Sequence, residues 1–210
     1  MATPIITDGT TDRALKVPRV VLPTRPDVFS ARAERFTALA ADHPMAAYLQ
    51  LMAELSRAQQ TSFAARPGGD VPESALAASR DFGMPPLSAQ AHERSVTWRD
   101  DLTDIVQFVR ARSANGVAAT LQRVLALDAP ALESLADRVL AGTALDEDAA
   151  FVPFIGAALQ VYFARLAASL DVGAVDHCDV PGICPVCASR PVASIVRIGG
   201  EQANLRYLVC

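Results

Sequence analysis

Cysteine is missing from the first 177 residues of this 210-residue chain. That absence excludes a disulfide scaffold, whose cysteines would be spread through the fold. Positive charge is also short: 19 Lys and Arg stand against 23 Asp and Glu, a net charge of −4. Phosphate backbones attract proteins through clustered Lys and Arg, so nucleic acid is not an expected partner. No stretch reaches the roughly 18 to 20 uninterrupted apolar residues that a membrane span needs. The most apolar one, Phe151 to Leu170, carries Pro153, Gln160 and Arg165 and reads as a buried core helix. Met1 to Lys16 holds Asp8 and Asp12 but no apolar h-region, so it does not read as a secretory signal, and a cytoplasmic address is expected.

Large aromatic side chains are scarce as well, with 8 Phe, 3 Tyr and 1 Trp. Alanine fills the space, occurring 39 times in a chain that is 51% hydrophobic. Such hydrophobicity excludes disorder along the whole chain, and alanine is the best helix former. A mainly α fold of closely approaching helices is therefore predicted.

Punctuation divides the chain. Residues 1–26 are rich in Thr and Pro, lack periodicity and read as a flexible arm. Helical spacing begins at Val28 and runs to Ala41, then from Met45 to Ala65. Arg66 to Asp70 is a break, a short helix follows at Glu73 to Asp81, and Met84-Pro85-Pro86-Leu87 reads as a rigid extended connector. Further helices are predicted over Ser95 to Arg112, Gly116 to Leu127 and Pro130 to Ala141. Asp128 caps the last of these and Gly142 stops it. With the apolar helix ending near Leu170 this makes six or seven helices, a bundle-like domain over 27–171.

Texture changes at Asp171. The β-branched run Val192 to Ile198, the Gly199-Gly200 turn and Leu205 to Val209 predict a hairpin in a small module over 172–210. About forty residues need a staple, and a metal is a common one. Cys184-Pro185-Val186-Cys187 is a C-x-x-C pair, which on a tight turn supplies half of a tetrahedral zinc or iron site. Cys210 follows after 22 residues, and a fourth ligand is expected three positions beyond it, past the last residue. The chain is thus expected to be a fragment or truncated product, and its three-cysteine half-site predicts poor order beyond about residue 172.

Other readings of the pair stay open. A thioredoxin-like site needs a helix after the C-x-x-C, and Pro191 with the β-branched run argues against one. Two reduced structural thiols without metal are the plainer alternative. Cys178 and His177 sit in a polar linker and are expected to be solvated rather than ligating. His43 and His92 belong to helix boundaries or loops, and acidic pairs such as Asp100-Asp101 to solvated helix faces or caps. No P-loop, G-x-G-x-x-G or H-E-x-x-H motif is present, and no catalytic residue is assigned.

Gly182 to Ser194, with its C-x-x-C, and Leu205-Arg206-Tyr207-Leu208-Val209-Cys210 resemble the FdhE family, the formate dehydrogenase accessory proteins of bacteria. Arg32 to Phe36, His43-Pro44-Met45-Ala46-Ala47-Tyr48-Leu49, Pro153-Phe154-Ile155 and Tyr162 to Leu166 carry the resemblance along nearly the whole chain. It implies a helical N-terminal domain followed by rubredoxin-like knuckle modules that bind iron or zinc. Cys184, Cys187 and Cys210 match the metal ligands of the first module. It also implies a cytoplasmic, non-enzymatic assembly factor needed for active respiratory formate dehydrogenase and acting on its catalytic subunit. Arg206 and Tyr207, beside Cys210, are contact or supporting candidates, although a structural role in the hairpin is the favoured reading. The alternatives are a thiol- or iron-based redox protein acting on that partner, and a metal-free helical adaptor.

Overall fold

A computed structural model of the chain describes residues 18–23, 26–66, 68–112, 115–175, 178, 180–196, 198 and 205–210. Most of the expected N-terminal arm, His177 and the Gly199-Gly200 turn lie outside the described residues. Among the described residues there are seven α-helices and one hairpin. They are α1 (Val28–Ala40), α2 (Ala46–Ala65), α3 (Glu73–Phe82), α4 (Thr97–Arg112), α5 (Ala118–Leu125), α6 (Ala129–Ala141) and α7 (Val152–Ala168), then β1 (Ala193–Val196) and β2 (Arg206–Val209). The mainly α architecture read from composition and periodicity is the one observed. None of the described helices is long and apolar enough to cross a membrane.

Local chemistry sets several boundaries. Asp128 accepts the Ala131 N–H at 2.8 Å, and Gly142 closes α6 at φ +69°, a conformation that costs glycine nothing. The helix expected from Gly116 begins later: Asn115–Val117 is a 3₁₀ turn, and α5 proper starts at Ala118. No side chain of its own caps α1. Gln60 of α2 does so instead, accepting from the Phe29 and Ser30 amides at 3.2 Å and donating to the Pro26 carbonyl at 2.6 Å. This ties the two helices into an antiparallel pair, sealed by an edge-to-face contact of Phe29 and Phe63.

The core lies between α2, α4 and α7, with α5 and α6 closing one side. Trp98, Ile105, Val106 and Val109 of α4 meet Ile155, Ala158 and Val161 of α7, all with 0% exposure. Small residues let α7 run through the middle, and the loop between α2 and α3 comes so close that a Cβ on Gly69 would stand 2.6 Å from Leu166 Cδ2.

One polar element inside this core contradicts the reading of Asp100-Asp101 as a solvated pair. Asp100 is exposed, whereas Asp101 has 0% exposure. Its carboxylate receives Arg165 of α7 at 2.9 and 3.1 Å, Arg66 at 2.8 Å and the Ser62 hydroxyl at 2.8 Å. The step of about 100° between neighbouring helical residues puts one acid outside and the next inside. The buried partner comes from a helix more than sixty positions away, beyond the reach of local pattern.

Beyond residue 172 it is the turn, not the hairpin, that departs from expectation. The C-x-x-C turn is docked on the helical body: Leu87 N–H donates to the Val186 carbonyl and Ala89 N–H to the Cys187 carbonyl, both at 2.9 Å. Val186 is buried in the main core, so this turn is held by packing and backbone pairing before any metal is considered. The hairpin is not packed in that way; every residue of β1 is exposed.

Candidate metal centre

The knuckle is built from backbone reversals at both ends. Gly182 has φ +81° and Ala188 φ +59°. Between them Cys184 N–H donates to the Ser189 carbonyl and Ala188 N–H to the Cys184 carbonyl, each at 2.9 Å. The turn therefore folds its two sulfurs toward one point. Cys210 arrives by strand register. β1 and β2 pair antiparallel with Ala193 opposite Val209 and Ile195 opposite Tyr207, and Val192 N–H donates to the Val209 carbonyl at 2.8 Å. That register returns the end of β2 to the base of the knuckle.

As a result the Cys184, Cys187 and Cys210 sulfurs all lie within 4.8 Å of one another. Cys184 and Cys187 are half-buried and Cys210 is exposed. Sulfurs around a tetrahedral zinc or iron stand about 3.8 Å apart, given metal–sulfur bonds near 2.3 Å. The three thiols are thus close enough to share such a metal, with one coordination position left to another donor. The sulfurs also perturb one another. Hydrogen bonds from the Cys184 and then the Cys210 thiol, aided by Ser189, hold Cys187 far below the ordinary thiol value. Donating to Cys187 pushes Cys184 up, and donating to Cys184 and Cys187 pushes Cys210 up.

The remaining sequence candidates fall elsewhere. Cys178 is not in the thiol cluster; it is also not solvated, being 4% exposed, with its carbonyl held by Arg19. Arg206 donates to the Ser194 hydroxyl across the hairpin at 2.7 Å, a structural contact. Tyr207 is half-buried, and its hydroxyl has no hydrogen-bond partner among the described residues. His92 does sit in a loop, where its Nε2 lies 3.1 Å from the Tyr162 hydroxyl. A cleft of about 540 Å³ between Val71, Arg80 and Asp171 contains none of the three cysteines.

Sequence reasoning missed the dock, Leu87 to Ala89. The only signal was two prolines preceding an apolar residue in a long connector.

The family model for the FdhE N-terminal region matches residues 17–178, and that for the FdhE central domain matches residues 183–210. The chain belongs to the FdhE family. An FdhE homolog from Pseudomonas aeruginosa is 34% identical over 211 residues, covering 100% of this chain and 68% of the relative. One from Edwardsiella ictaluri is 35% identical over 194 residues, covering 91% of this chain and 62% of the relative. The crystal structure of the FdhE protein from P. aeruginosa superposes with a TM-score of 0.74 at 33% identity, covering 92% of this chain and 66% of that one. The chain thus spans about two thirds of the length of these FdhE proteins.

Proposed function

We propose that this chain acts as an accessory factor in the assembly of respiratory formate dehydrogenase, binding its catalytic subunit in the cytoplasm. The working organisation is an N-terminal arm (1–26), a helical domain (27–171) and a metal-knuckle module (172–210). Cys184, Cys187 and Cys210 hold an iron or zinc ion in the last of these. The observation that carries this reading is the convergence of three thiols within 4.8 Å in a member of the FdhE family. The metal's contribution is to order the hairpin, since two strands alone are marginal in water and β1 is exposed along its length. No chemical step is assigned to the chain. The role is to present a surface to an incompletely assembled enzyme.

The test is a pull-down with the tagged chain from cells that contain folding catalytic subunit. Retention of that subunit, lost when the helical domain is omitted, is the expected result. Absence of retention while the subunit is present overturns the partner assignment.

The closeness of the Cys184, Cys187 and Cys210 thiols supports one other reading, a redox role for the thiols or for bound iron. Reversible thiolate-to-iron absorption with a measurable potential would support it, and a colourless zinc protein would sink the iron version.

A further inference from the structure

The segment joining α3 to α4, residues 83–96, is a strap fastened at two places. Near its start, Leu87 and Ala89 donate backbone hydrogen bonds to Val186 and Cys187, the third and fourth residues of the C-x-x-C turn. Leu87 has 0% exposure, and Val186 packs into the same cluster of core residues. Near its end, Ser95 N–H donates to the Tyr162 hydroxyl of α7 at 3.0 Å, and that hydroxyl lies 3.1 Å from His92 Nε2. Arg94 is fixed to Glu133 and Asp137 of α6. The knuckle therefore has no free-standing geometry: the backbone that aims the Cys187 sulfur is the backbone that accepts from the strap.

We propose that metal occupancy of the Cys184–Cys187–Cys210 site is coupled to docking of the strap, so that the ion governs the local stability of residues 83–96. The inference rests on the metal reading given above. Its physical basis is shared geometry. Ligation ties the three sulfurs to one ion and fixes the peptide planes of Val186 and Cys187, and these carry the acceptors for Leu87 and Ala89. With the thiols unligated, packing and backbone pairing alone hold the turn, and the two amides open more often. Coupling of this kind is reciprocal: whatever factor the metal adds to docking, docking adds to metal affinity. The strap also bears exposed apolar side chains, Met84 at 57% and Val96 at 60%, next to Phe82 at 79%. The surface whose order depends on the ion thus lies on the helical body, outside the knuckle itself.

The experiment is hydrogen–deuterium exchange on the 210-residue chain during a titration with Zn²⁺ alone, with bound zinc per chain measured in the same samples. The expected result is that the Leu87 and Ala89 amides slow at least tenfold as one zinc binds per chain, while amides of α1 and α2 keep their rates. Zinc bound stoichiometrically with no change at Leu87 and Ala89 overturns the coupling and leaves the metal site standing. No zinc bound overturns the metal reading and the coupling together. Reciprocity supplies a second measurement. Ala89→Pro removes one donor, and it is expected to weaken zinc binding by the same factor that zinc slows exchange at that amide in the parent chain. Unchanged zinc affinity in a variant that keeps its helical circular dichroism also overturns the coupling.

Discussion

Arg165 and Asp101 meet in the middle of the helical body, two guanidinium nitrogens on two carboxylate oxygens at 2.9 and 3.1 Å, with both side chains almost wholly out of water. Arg66 adds a third donor from the half-exposed side and is itself balanced by Asp104. Such a pair offers little net stability over apolar residues of the same volume, yet breaking it strands a buried charge. Asp101→Ala is therefore expected to lower the free energy of unfolding by about 3–5 kcal/mol. Asp101→Leu combined with Arg165→Met is expected to recover much of that loss. Urea midpoints of the two variants, followed by circular dichroism, decide it; equal losses in both would show that packing rather than the charge dominates.

Asp148 provides the pH dependence. Arg138 donates to both of its oxygens at 2.8 Å, and the Leu145 amide donates at 3.0 Å. Those bonds, the Arg138 ones first, hold the carboxyl below the ordinary Asp value. A group depressed on folding contributes stability above its unfolded value, about 3.9, and loses it as pH falls through the folded value. Asp148→Asn is thus expected to be less stable than the parent at pH 7. The gap should close progressively below about pH 4, where the parent loses the same interaction. Unfolding midpoints of both proteins across pH 2–7 test it, and a constant gap contradicts it.

What could be read from the sequence was governed by how local its cause is. Asp128 and Gly142 announce the ends of α6, because a capping oxygen and a left-handed glycine act within one helical turn. The C-x-x-C pair and Cys210 announce the thiol cluster through residue type and spacing. The partner of Asp101 could not be read: its salt bridge is decided by α7 packing across α4, and the sequence shows only another acidic residue on a polar-looking face. The strap was invisible for the same reason, since Leu87 finds Val186 a hundred residues later through backbone atoms, which carry no side-chain signature.

Metal retention separates the cysteines. Cys187→Ser replaces one of the three clustered sulfurs with a poor metal ligand, and zinc bound per chain after equilibration with a chelator is expected to fall at least tenfold. Cys178→Ala changes a buried side chain outside the cluster and is expected to keep the parent's zinc content. Elemental analysis of both variants is the check. Comparable loss in each would mean that Cys178 reaches the ion in solution.

Ala188 follows Cys187 directly and sits at φ +59°, a conformation its Cβ resists. The left-handed region costs an ordinary L-residue roughly 1–2 kcal/mol, whereas glycine enters it freely. Glycine surrenders about 0.5–1 kcal/mol of that advantage through its more flexible unfolded chain. The net effect of Ala188→Gly is therefore expected to be a knuckle up to about 1.5 kcal/mol more stable, equivalent to zinc affinity raised by up to about tenfold. Ala188→Val puts a β-branched side chain where positive φ is a genuine outlier, so zinc affinity should fall by tenfold or more. Competition with a chelator of known affinity gives the order, expected to be Gly above Ala above Val. If valine bound as tightly as glycine, the turn would have to leave its left-handed conformation when metal binds, and the backbone reversal after Cys187 would not be what aims its sulfur.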